Sequence, residues 1–204
     1  IVSNRGPETK TRHVLPTLWF RNTWSWGDGG IKPKLLEQQA PKGALWAVQA
    51  EHPTLGTYHL YGRHKAQILY TENESNTRRL WGASNASPYV KDAFHRYLIN
   101  GEKSAVNPAR TGTKFAASHE LTVESGQTVT IGLTLSHEAL AAPFDKREVI
   151  FAGRESETTT FYDDLLPESS PQDHNILRQS LAGMIWSKQY FHFDVARWLD
   201  GDEL

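Results

Sequence analysis

Cysteine is absent from the 204 residues, which excludes disulfides and a thiolate-ligated zinc site. An excess of one charge is missing too: 22 Lys and Arg face 23 Asp and Glu, for a formal net charge of -1. That balance supplies no general attraction for a phosphate backbone, so nucleic acid is not an expected partner. No apolar run approaches about 18 residues, which leaves no candidate membrane helix. No basic-then-apolar leader opens the chain, and a cytoplasmic location is the expectation. Neither a phosphate-cradling glycine loop nor a Gly-x-Ser-x-Gly elbow occurs. Nine histidines are present, but none falls in a His-Glu-x-x-His pattern. His192 and Asp194, two apart on an expected helix, point different ways. No metal and no cofactor is expected, and His13 and His119 read as structural histidines within strands.

Aromatics are what the chain has in quantity, with seven Trp among them. Trp combines a large rigid face with a polar N–H and suits interfaces or flat ligands. The densest string is Trp19-Phe20-Arg21-Asn22-Thr23-Trp24-Ser25-Trp26-Gly27. Indole faces cover the C–H face of a pyranose, while Arg and Asn meet its hydroxyls. The same string also suits a loop anchored against a neighbouring domain. It provides five candidate substrate-binding residues: Trp19, Arg21, Asn22, Trp24 and Trp26. A second polar cluster adds Glu74, Asn76, Arg78 and Trp81. Glu72 and Glu74, two apart, suit either acid/base work or an ion-pair cluster with Arg78 and Arg79. Asn73-Glu74-Ser75 and Asn85-Ala86-Ser87 match the glycosylation sequon but are discounted without a leader.

Hydrophobic patterning predicts strands over residues 11–20, 45–49, 57–61 and 66–70. Pro16 marks an edge or bulge in the first. Strand runs about ten residues apart, separated by turn signals, indicate an antiparallel sandwich. Residues 71–87 read as a polar loop and 88–99 as a helix. Leu121 and Val123, the Ser125-Gly126 turn, and Val129, Ile131, Leu133 and Leu135 predict a hairpin with one buried face. A helix follows from about 144 to 166, with Asp145 and Glu148 as a capping pair and Pro167 ending it. Ser170-Pro171 opens another, with Pro in its first turn and Asp173 near its positive end. Apolar residues come to cover all faces of that helix through Trp198. If unbroken over 171–199 it is about 43 Å long, more than a small sandwich covers. The fold class expected is mainly β, an incomplete antiparallel sandwich over residues 1–140 with a helical segment over 141–204. Both ends look cut, so the chain reads as a fragment.

Three strings together resemble a known family. They are Leu15-Pro16-Thr17-Leu18-Trp19-Phe20-Arg21-Asn22-Thr23-Trp24-Ser25-Trp26-Gly27, Ser87-Pro88-Tyr89-Val90-Lys91-Asp92-Ala93-Phe94-His95-Arg96, and Leu181-Ala182-Gly183-Met184-Ile185-Trp186-Ser187-Lys188-Gln189-Tyr190 continuing through Trp198-Leu199-Asp200-Gly201-Asp202. They look like the bacterial glucosidases related to glycoside hydrolase family 63, the mannosyl-oligosaccharide glucosidase relatives. The resemblance implies a two-part inverting enzyme, in which an N-terminal sandwich joins a C-terminal (α/α)6 barrel through linker helices. In that arrangement the barrel, in cis, carries the acid and base carboxylates. It implies an oligosaccharide or glucoside substrate and no catalytic residue within this chain, which corresponds to the later sandwich and the helices leading to the barrel. A free-standing sugar-binding module and a protein-interaction domain are the alternatives.

Overall fold

The structure, a computed structural model, describes residues 1–26, 30–165, 170–187 and 195–201. The chain divides into two compact units, Ile1–Arg147 and Glu148–Leu204.

The first unit is an antiparallel sandwich. Strands β1 (Val2–Ser3), β2 (Lys10–Val14), β3 (Thr17–Trp19), β4 (Lys34–Gln38), β5 (Trp46–His52), β6 (Gly56–Gly62) and β7 (Gln67–Thr71) lead to two short helices, α1 (Thr77–Trp81) and α2 (Ala93–Ile99). Strands β8 (Thr111–Gly112), β9 (Lys114–Val123), β10 (Thr128–Val129) and β11 (Leu133–Ser136) follow. One sheet has the order β11-β6-β5-β4-β8. The other centres on β9, with β2 and β3 in succession along one edge and β7 along the opposite edge. The expected strand over 11–20 is therefore two strands on the same partner. They are divided at Leu15-Pro16, where the proline has no N–H to give the ladder.

Alternation along the strands builds two cores. Leu35, Trp46, Val48, Ala50 and Leu60 of the first sheet meet Tyr70, Phe115 and Ala117 of the second. On the outer face of the second sheet, Leu69 and Ala116 pack against Phe94 and Tyr97 of α2. β9 is thus covered on both faces in its first half. This explains its unbroken Phe115-Ala116-Ala117 run, since small residues let two layers approach. Burying each large side chain contributes about 1.5–3 kcal/mol.

Four expectations need correction. The hairpin after Val123 does not form. The chain turns at Gly126, but β1 takes the returning segment: Val2 pairs with Val129, and the Asn4 amide N–H and C=O both bond the turn. β11 then crosses to the other sheet beside β6, and its Leu133 and Leu135, expected on a buried face, are exposed. The loop over 71–87 contains α1. The Asn76 side chain caps its start by accepting from Arg79 N, and Gly82, in the left-handed region at φ 72°, closes its end. β4 was not foreseen, although Leu35 is fully buried. The helix expected over 88–99 starts only at Ala93.

The second unit is helical: α3 (Arg147–Leu165), α4 (Pro171–Ser187) and α5 (Val195–Asp200). α3 begins two residues after Asp145. Thr158 and Thr160 are accommodated in it by donating their hydroxyls to the carbonyls four residues back, of Arg154 and Ser156. Ser170 caps α4, accepting from Asp173 N at 3.2 Å while donating to the Asp173 carboxylate. Apolar side chains of α4 are open to solvent, Trp186 at 88%. Pro167, Tyr190, Phe191, His192, Phe193, Asp194 and Asp202 lie outside the described residues, and so does the continuity of a helix over 171–199.

Candidate functional site

The loop after β3 and the segment after β7 meet through one carboxylate. Trp24 and Trp26 bound a single 3-10 turn. Asn22 brackets that turn: its Oδ1 accepts from Ser25 N and its Nδ2 donates to Ser25 Oγ. The turn presents the Trp24 indole N–H to Glu74 Oε1 at 2.9 Å, and Lys32 Nζ donates to the same oxygen at 2.8 Å. Lys32 also reaches Glu72 Oε2 at 3.1 Å. Glu72 accepts from Thr113 Oγ1, which in turn accepts from the buried Asn73 N–H. The expected cluster of Glu72 and Glu74 with Arg78 and Arg79 is corrected: the shared cation is Lys32, while Arg79 pairs with Asp92.

This network sets the chemistry of the carboxylates. Partial burial alone raises the pKa of Glu74, but the hydrogen bonds from Lys32 and Trp24 outweigh it and hold the group below the usual glutamate range. Lys32, whose pKa burial alone lowers, is held above the usual lysine range by Glu74 and Glu72. A carboxylate kept ionised accepts hydrogen bonds and is poorly suited to donate a proton as general acid.

Beside Glu74 lies an open cleft of about 410 Å³, within the size range of small-molecule sites. Its lining includes Asn22, Ser25, Glu74, Thr77, Trp81 and Lys91. Trp81, at the end of α1, is 69% exposed. Of the candidates from sequence, Asn22, Glu74 and Trp81 share this cleft, and Trp24 supports it through Glu74. Asn76 has a structural part: it caps α1, donates to Asp92 and accepts from Asn85. Arg78 lines a neighbouring cleft with Asn85 and Pro88. Trp19 sits on β3 opposite Lys114, 54% exposed, and Arg21 follows it towards the turn. The side chain of Trp26 lies outside the described residues. Sequence reasoning missed Lys32 and Lys91. Lys32 carried no local signal, because its partners are 40 and 42 residues away.

The buried Asn73 donates its Nδ2 to Phe20 O, and Asn85 Nδ2 donates to Asn76. His119 is buried, with Nδ1 against Lys65 O and Nε2 without a partner. Among the described residues no group of three or more His, Asp or Glu gathers as a metal site, and no helix is long and apolar enough to cross a membrane.

No protein-family model matches the chain, and no solved structure matches it. The chain is 30% identical over 225 aligned residues to an uncharacterized protein of Saccharomyces cerevisiae, YMR196W. That match covers 93% of this chain and 20% of the yeast protein, so the chain spans about a fifth of its relative's length.

Proposed function

We propose that this chain is a non-catalytic part of a glycoside hydrolase of the glucosidase type, acting on α-glucosides or related oligosaccharides. In this reading the catalytic carboxylates belong to an (α/α)6 barrel outside the chain, and the Trp24–Glu74 cleft is a sugar-contacting wall. The observation that carries the reading is the cleft itself. An exposed indole stands beside hydroxyl, amide and ammonium groups and a carboxylate that Lys32 and Trp24 keep ionised. A sugar ring demands this combination of one apolar face and several fixed acceptors and donors. The order of strands followed by helices, and the three strings that resemble the glucosidases, add support.

Saturation-transfer NMR of the chain with maltotriose tests the wall. A saturable signal, weakened about tenfold by Trp81→Ala, is the expected result, equivalent to about 1.4 kcal/mol. An absence of signal at millimolar sugar would count against the cleft as a sugar site. An assay on p-nitrophenyl α-glucoside tests the division of labour. The chain alone is expected to leave it intact, and turnover would place catalytic groups within these residues. Sugar binding by the chain, with no glucosidase activity in the longer protein that contains it, would favour the free-standing binding module.

A further inference from the structure

The start of β7 has an open edge. Ile68 faces Ala117 across the β7–β9 ladder, and Ala117 sends its N–H the other way, to Pro16 O. The pair therefore does not exchange hydrogen bonds, and the N–H and C=O of Ile68 point away from β9. Two residues on, the Tyr70 carbonyl points to the same side and accepts from Asn107 N at 2.8 Å. The segment after Asn107 thus covers the end of β7 but not Ile68, whose backbone groups have no hydrogen-bond partner among the described residues.

That edge opens on a cleft of about 550 Å³ lined by Glu37, Leu45, Trp46, Lys65, Ile68 and Arg110 among others. It shares no lining residue with the Trp81 cleft. Leu45, 63% exposed, and the half-buried Ile68 provide apolar surface, with the buried Trp46 beneath. Arg110 and Lys65 outnumber Glu37, to which the Arg110 guanidinium is paired. Arg110 alone among described non-glycine residues has a left-handed backbone, at φ 52°. Asn107 brackets it by donating to Thr111 O and accepting from Ala109 N. Nearby, the Tyr70 hydroxyl is buried without a partner, in the field of Glu37 and Arg110.

We propose that this edge docks a short acidic peptide segment in extended conformation. The segment pairs with the Ile68 backbone, lays an apolar side chain on Leu45 and Ile68, and presents a carboxylate to Arg110 and Lys65. Main-chain pairing supplies affinity and the charge selects the side chain.

The test is fluorescence polarisation of the full 204-residue chain with a labelled, N-acetylated Val-Asp-Val-Asp-Val peptide. Saturable binding is expected. It should fall at least tenfold for a peptide N-methylated at its central residues, for Lys65→Glu and for Arg110→Gly, and stay unchanged for Trp81→Ala. Glycine suits the left-handed position, so Arg110→Gly is expected to keep the fold, checked by circular dichroism. Should it not fold, the methylated peptide and Lys65→Glu still decide. Equal binding of the methylated peptide, equal binding by Lys65→Glu, or no saturable binding at millimolar peptide overturns the proposal.

Discussion

At the scale of single residues, Glu74 ties together the two halves of the cleft. Its folded pKa is depressed, so its contribution to stability is present above the unfolded value, about 4.3. That contribution is lost as pH falls through the lower folded value. Lys32 runs the opposite way: its raised pKa contributes below the unfolded value of about 10.4 and is lost as pH rises through the folded one. The Trp24 turn should therefore stay anchored between these limits and loosen in acid. Tryptophan emission followed from pH 7 downward should report this as a transition that Glu74→Gln abolishes. A transition unchanged in Glu74→Gln would assign it elsewhere. Arg110 poses a different balance. Its left-handed backbone costs about 1 kcal/mol or more, while its ion pair with Glu37 is exposed enough to contribute at most about 1 kcal/mol. Arg110→Gly is expected to melt within a few degrees of the parent, and a large loss would show that the pair matters more than the strain.

At the scale of elements, the short helix α1 depends on its ends. Five residues nucleate poorly by themselves, and no residue of α1 is buried. Asn76 and Gly82 supply the start and the stop. Asn76→Ala is expected to cost about 1 kcal/mol and to disturb Trp81, visible as a shift of its indole resonance without loss of the sandwich core. These caps stood in the sequence, an Asn and a Gly six apart around Thr77–Trp81, so α1 was legible to a reader looking for caps before periodicity. The hairpin is the opposite case. Leu121, Val123, Val129 and Leu133 alternate just as a hairpin does, yet alternation does not settle which face is covered: Val123 is buried, while Leu133 and Leu135 are exposed. Nor does alternation name the neighbouring strand. β1, from the far end of the chain, supplies that neighbour.

At the scale of the whole molecule, Phe115 joins the two sheets. It is fully buried and packs against Trp46 at 5.5 Å and Tyr70 at 5.3 Å between ring centroids. Phe115→Ala is expected to cost about 3–5 kcal/mol, read as a markedly lower denaturation midpoint with an unchanged slope. A loss below about 1 kcal/mol would mean the sheets do not rely on this contact. Close approach adds its own constraint. A Cβ at Gly112 would come within 2.2 Å of the Thr71 carbonyl oxygen, and one at Gly62 within 2.0 Å of the Trp46 ring. Backbone yields less readily than a side chain, so Gly112→Ala should be the more damaging of the two by thermal melting.

The sequence by itself determined the class of fold. Period-two alternation, spaced turn signals and a later change to helical spacing are local properties, written by which side chains each segment must bury. It also marked Trp24, Glu74 and Trp81 as residues worth following, because their chemistry is unusual wherever they sit. Only the tertiary structure decided that Trp24 and Lys32 share one oxygen of Glu74, that Arg78 stands apart from that pair, and that Ile68 lies on an open edge. Those facts concern which segments become neighbours, and a neighbour 40 or more residues distant leaves no mark on local pattern until the sheets close around a common core.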